Sequence, residues 1–239
     1  MILHYSPICA TIRVSRKFPG WARCAGFQED FFTRPGGNSA HPRPGEQHLT
    51  KVSTFMKSPL HLIPFLRSYW VEPGRLLAGC YPGDKEPRDT TRKLTGLLDA
   101  GIRVVINLME KNETDLQGHS FVPYEQELEA LALERDIKIE MIRIPVRDKS
   151  VPVEKVMKRI LSRIDAALAK DKPVYLHCWG GRGRTGTAIG CYLARHGIAV
   201  GDAALERIRI LRAGDSSARL PSPETTEQRA FVRGWAEGE

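Results

Sequence analysis

Two hydrophobic rhythms alternate along the chain from Arg67 onward. Short apolar runs of strand length fall at 75–79 (R-L-L-A-G), 103–108 (R-V-V-I-N-L) and 173–177, and residues 138–144 alternate polar with apolar. Between them lie segments with the 3.6-residue period of a helix. Residues 90–100 put Leu94, Leu97 and Leu98 on one face, and Gly101 marks the stop. Residues 124–135 are amphipathic, and 153–169 space Val156, Ile160, Ile164 and Leu168 for one face. After the last strand only helical pattern follows, at 184–195, 202–212 and 224–235. Strands alternating with helices predict an α/β fold, a mainly parallel central sheet flanked by helices on both faces. The strand at 173–177 is the central one. It delivers its last residues to the carboxyl end of the sheet, where such folds bind ligands. The apolar stripes are explained by the core, without a cofactor box.

Residues 1–57 follow neither rhythm. Pro7, Pro19, Pro35, Pro42 and Pro44, scattered arginines and several glycines make them a poorly ordered basic extension, with 58–239 as the folded domain. A targeting leader and a start codon placed too early are two further readings of that extension. The chain carries a net charge of +8, of which residues 1–55 supply +4 (seven Lys/Arg against three Asp/Glu). The basicity is spread out and shows no nucleic-acid footprint. The five cysteines (Cys9, Cys24, Cys80, Cys178, Cys191) form no C-x-x-C pair and no metal spacing, which points to a reducing, cytoplasmic setting. No apolar run reaches the length of a membrane span.

The chemistry concentrates at 174–190, V-Y-L-H-C-W-G-G-R-G-R-T-G-T-A-I-G. A strand runs into His177 and Cys178, and a loop with Gly180, Gly181 and Gly183 ends where Arg184 and Thr185 open an apolar helix. Glycines let successive backbone N–H groups turn inward as an anion nest, and the helix dipole aims at the same point. A cysteine at the foot of such a loop is favoured as thiolate, the nucleophilic form. Arg184 offers a planar fork for two phosphoryl oxygens. Thr185 sets a hydroxyl near the sulfur, and His177 is expected to position the loop.

Cysteine, five residues, then Arg-Thr-Gly resembles the signature of the cysteine-dependent protein tyrosine phosphatase superfamily. The preceding His and the Gly-x-Gly-Arg-Thr-Gly ending make it most similar to the dual-specificity phosphatase-like branch. The resemblance covers roughly residues 68–236; weaker parallels lie at Gly79-Cys80-Tyr81-Pro82-Gly83, at Ile106-Asn107-Leu108 with Glu110, and at Ser222-Pro223-Glu224-Thr225 with Gln228 and Phe231. It implies Cys178 as nucleophile, Arg184 as phosphoryl binder and a phosphate loop made of His177, Trp179, Gly180, Gly181, Arg182 and Gly183. The family draws its general acid from a loop about thirty residues upstream, which here is Asp148 in Pro145-Val146-Arg147-Asp148. Thr185 would assist the sulfur as it leaves. The implied reaction is phosphomonoester hydrolysis through a cysteinyl-phosphate, without metal or cofactor.

The rivals fit less of the pattern. A dinucleotide fold would use Gly181-x-Gly183-x-x-Gly186 with Asp202, but it needs further strands that do not follow. Low-molecular-weight phosphatases carry loop and acid in the reverse order, and sulfurtransferases lack the upstream aspartate. A non-catalytic phosphate-binding module is the rival of another class. Phosphorylated protein leads as the substrate, ahead of phosphoinositide or inositol phosphate. Arg182 bears on that choice: it either serves a more highly charged headgroup or is a solvated arginine that raises the local potential. Trp179, directly after the cysteine, is expected to wall the pocket. Cys80 and Cys191 are expected to be buried free thiols; of the two, Cys80 is the better placed to trap an oxidised Cys178.

Overall fold

A computed structural model of the protein describes residues 62–239; the expectation for 1–57 lies outside the described residues. Five strands form one sheet, β1 (Ser68–Glu72), β2 (Leu76–Gly79), β3 (Val104–Asn107), β4 (Glu140–Arg143) and β5 (Val174–His177). Their spatial order is β1-β2-β5-β3-β4. β5 lies between β2 and β3 and is parallel to both, β4 is parallel to β3, and β1 closes the edge antiparallel to β2. Among the described residues the helices are α1 (Pro87–Asp99), α2 (Glu125–Leu133), α3 (Glu154–Leu168), α4 (Arg184–Arg195), α5 (Asp202–Leu211) and α6 (Thr226–Gly234).

Strand alternation sorts the core into two layers. Leu76, Ala78, Val104, Ile106, Val174 and Leu176 pack with Ile160, Ile164, Ile189, Ile208 and Val232 of α3 to α6. Leu77, Val105 and Tyr175 face the other way, onto Leu94, Leu97 and Leu98 of α1 and Leu128 of α2. The expected α/β architecture, helices on both faces of a mainly parallel sheet, is the observed one. The edge strand β1 is the exception: Ser68–Glu72 is too short and mixed a stretch to show a rhythm, and its pairing with β2 makes it a strand.

Helix α4 is buried from Arg184 to Ala194, so it is packed on every side. At Gly190 a β-carbon would stand 2.6 Å from Cγ1 of Val232, and that close approach seats α6 against α4. The central strand therefore ends in a loop that is held between the sheet and an enclosed helix.

Candidate active site

Cys178 follows β5 directly and is 2% exposed. The loop from Cys178 to Gly183 is tied to the protein by its carbonyl oxygens. The Cys178 carbonyl lies 3.1 Å from Nδ1 of His177, Trp179 accepts from the Tyr81 amide at 2.8 Å and Gly180 from Nη2 of Arg67 at 2.8 Å. Arg182 accepts from Oγ of Ser222 at 2.8 Å, and Gly183 from the amide and hydroxyl of Thr187, both at 2.9 Å. No amide of residues 179–183 donates to an acceptor among the described residues. With the carbonyls bonded outward, the N–H groups are left for an anion, as a nest requires. Gly181 makes the reversal: its φ is +69°, and a β-carbon there would stand 2.5 Å from the Gly79 carbonyl carbon. Only glycine meets both conditions.

His177 is fully buried, and Nε2 lies 2.7 Å from the Tyr124 hydroxyl. Burial pushes the imidazole down to about 3, so it stays neutral in working conditions. Both ring nitrogens are engaged by the protein, which makes His177 a positioning residue of the loop and leaves it nothing to offer a phosphoryl group. Trp179 is half-buried and packs edge-on against Phe121, which in turn meets Tyr81. This aromatic group borders a cleft of about 290 Å³ lined by Tyr81, Met109, Glu113, Phe121 and Arg143 among others.

Arg184 is 2% exposed and opens α4. Nη2 lies 3.0 Å from Oδ1 of Asp148, so the structure brings the upstream aspartate to the loop arginine. Nη1 donates to the Val146 carbonyl at 3.0 Å, and both terminal nitrogens bond Glu113. Burial works against the charge of Arg184, but the Glu113 bond, Cys178 and Asp148 outweigh it and push the guanidinium up. Two buried polar atoms at the site lack a partner among the described residues, Nε of Arg184 and Oγ1 of Thr185. A phosphoryl oxygen and a thiolate would satisfy them.

Glu113 escaped the sequence reading. The motif parallel drew attention to Glu110, three residues earlier, which is exposed. Glu113 accepts from the Glu110 amide at 2.8 Å, and this turn directs the later carboxylate onto Arg184. Gln228 was noted only as part of a helix motif, yet it is fully buried and joins the start of α6 to the loop at Ser150. Its Oε1 accepts from the amides of Glu224 (3.1 Å) and Thr225 (3.2 Å), and its Nε2 donates to the Ser150 carbonyl at 3.0 Å. Arg182 is not the solvated arginine that was one of the two expectations. Its guanidinium pairs with Glu224, and its side chain is 19% exposed.

Cys80 and Cys191 are buried free thiols, as expected. The register pairs Gly79 with His177, so Cys80 and Cys178 leave neighbouring strand ends. They then pack into opposite layers, Cys80 with Leu77 and Tyr175, Cys178 with Ala188 and Ile189. Burial pushes the Cys80 thiol up, which disfavours its reactive form. Among the described residues no helix is long and apolar enough to cross a membrane.

Residues 82–198 match the family model described as "Polymorphic toxin system, DSP-PTPase phosphatase" (Tc-R-P). An uncharacterized protein of Methanocaldococcus jannaschii, MJ0215, is 32% identical over 66 residues, 28% of this chain; the match spans 42% of the length of that curated relative. Among solved structures, PTPMT1 in complex with PI(5)P superposes with a TM-score of 0.52 at 21% identity, over 71% of this chain and 94% of that one. TpbA of P. aeruginosa in complex with pTyr gives a TM-score of 0.50 at 19% identity, over 72% and 86%. Fold, loop signature and family model agree: over residues 82–198, just under half of the chain, it is similar to the dual-specificity phosphatase-like branch of the cysteine-dependent protein tyrosine phosphatases.

Proposed function

We propose that the protein hydrolyses phosphomonoesters in two steps through a cysteinyl-phosphate, with phosphotyrosine, phosphoserine or phosphothreonine of proteins as substrate. One observation carries this reading: a buried cysteine opens a loop of unbonded amides, and the arginine at the loop's end is bonded by an aspartate that lies thirty residues before the cysteine. In the first step Sγ of Cys178 attacks phosphorus and the bond to the leaving oxygen breaks. Arg184 and the loop amides hold the equatorial oxygens as charge builds there. The phosphoryl dianion takes over Arg184 and releases Asp148, which takes up a proton from solvent once it is free of the guanidinium and gives it to the departing oxygen. In the second step water attacks phosphorus, Asp148 takes the water's proton, the P–S bond breaks and thiolate returns. Thr185 donates a hydrogen bond to that thiolate. No step calls for a metal.

The test is turnover of para-nitrophenyl phosphate by the full chain. Cys178→Ser should abolish it while inorganic phosphate still binds. Retained turnover would remove the nucleophile, and loss of both in a folded protein would leave the reading without support. Asp148→Asn should slow alkyl phosphates by roughly 10²–10³-fold and activated aryl phosphates far less. An EDTA control should leave the rate unchanged. The second reading, a phosphoinositide or inositol phosphate substrate, is favoured by the extra arginine of the loop, Arg182. The two fold relatives were solved with ligands of both kinds, so a panel of phosphopeptides, phosphoinositides and inositol phosphates decides between the readings.

A further inference from the structure

The loop arginine that could draw a second phosphate is already occupied. Arg182 lies between Gly181 and Gly183, and its guanidinium pairs with Glu224, the two side chains being 19% and 29% exposed. Glu224 is held firmly on its own side: its amide donates to Oε1 of Gln228 at 3.1 Å, and its carbonyl accepts from Nη1 of Arg229 at 2.9 Å. A second tie fixes the Arg182 backbone, whose carbonyl accepts from Ser222 at 2.8 Å. The carboxylate also stands against the loop itself, with Oε2 3.3 Å from where a β-carbon on Gly183 would be. A carboxylate thus borders the anion nest and cancels the charge of the loop's second arginine.

Building on the phosphatase reading, we propose that Glu224 is a specificity-determining residue: it neutralises Arg182 and repels a second phosphate beside the scissile one, so the site selects singly phosphorylated groups such as a phosphoamino-acid side chain. The scissile phosphoryl group has Arg184 and the loop amides. A neighbouring phosphate would meet the Arg182–Glu224 pair, which has no net charge to give and a carboxylate oxygen to avoid. Replacing Glu224 by glutamine keeps the shape, removes the repulsion and frees Arg182.

Calorimetric titration of the full chain with orthophosphate and with pyrophosphate tests this without needing turnover. Its failure is therefore distinct from failure of the phosphatase reading, which the Cys178→Ser comparison decides. The wild type should bind orthophosphate the more tightly. Glu224→Gln should raise the affinity for pyrophosphate relative to orthophosphate about tenfold, a gain that shrinks at high salt. Adding Arg182→Leu to that variant should remove most of the gain, whereas Arg182→Leu alone should keep the wild-type preference. An unchanged ratio in Glu224→Gln, a gain that survives loss of Arg182, or no phosphate binding by any of the four proteins would each overturn the proposal.

Discussion

The two loops that meet at Arg184 are built differently. The phosphate loop is enclosed: Cys178, Gly181 and Gly183 are buried, and five of its carbonyls are bonded to partners in other segments or to adjoining residues. The acid loop is open. Pro145, Arg147 and Lys149 are exposed, the Asp148 side chain is 40% exposed, and Lys149 turns at a φ of +58°. Beyond its own turn this loop is tied by the Val146 contacts to Leu108 and Arg184, by Asp148 to Arg184, and by Gln228 to Ser150. The division has a chemical logic. Under the proposed mechanism the transferring phosphoryl group is the same in every substrate, and a fixed nest would stabilise it without reorganisation. Leaving groups differ, and a lightly held acid can follow them.

The contrast predicts two kinds of defect. Damage to the phosphate loop should be blind to the leaving group. Arg184→Lys keeps a charge but loses the fork, and kcat/KM should fall about 10³-fold on alkyl and aryl phosphates alike. Gly181→Ala forces a side chain into a left-handed position and against the Gly79 backbone. We expect roughly a hundredfold loss of kcat/KM and about 2–3 kcal/mol of stability, read by steady-state kinetics and urea unfolding. If either variant slowed alkyl phosphates much more than aryl ones, the loops would not be separable in this way.

Damage to the acid loop's support should depend on the leaving group. Gln228→Glu keeps an acceptor for the Glu224 and Thr225 amides but removes the donor to Ser150. Alkyl phosphate turnover should drop about tenfold, with activated aryl phosphates changed by less than about twofold. Gln228→Leu removes all three bonds and should also cost about 2–3 kcal/mol of stability. Equal losses on both substrate types would reassign Gln228 to the phosphate loop, where it lies against Gly183.

The same contrast governs what could be read from sequence. The phosphate loop is local: cysteine, glycines, arginine and helix start lie within one short stretch, so the pattern shows in the spacing. Helix α4 even has its expected bounds, because the glycine-rich loop ends at Arg184 and the largely apolar stretch behind it closes at Arg195. Contacts made across the chain were not legible. Glu113 reaches Arg184 over 71 positions, and Gln228 reaches Ser150 over 78. Neither carries a local pattern. Arg182 shows the limit most clearly. Its place in the loop was plain, but its electrostatic meaning depends on Glu224, which approaches only once α6 has docked on α4. Strand β1 was missed for a related reason, since its pairing with β2 defines it.

The smallest effect concerns the joint between loop and sheet. His177 donates from Nδ1 to the Cys178 carbonyl and accepts at Nε2 from Tyr124, an arrangement that requires the neutral ring. Burial pushes the Tyr124 phenol up, so it remains a donor, and pushes the imidazole down to about 3. An unfolded chain would protonate the same histidine near 6.5. Its contribution is therefore fully present above that value and is lost as pH falls towards about 3, because only the unfolded state takes up the proton in between. By pH 5 the loss should be about 2 kcal/mol. Urea unfolding of the wild type at pH 7 and pH 5 should show this drop in addition to that of other groups. His177→Asn should be less stable at neutral pH yet lose about 2 kcal/mol less on acidification. Equal pH dependence in the two proteins would mean that the folded state accepts the proton, and a charged imidazole could not accept from Tyr124 while holding the backbone of the nucleophile.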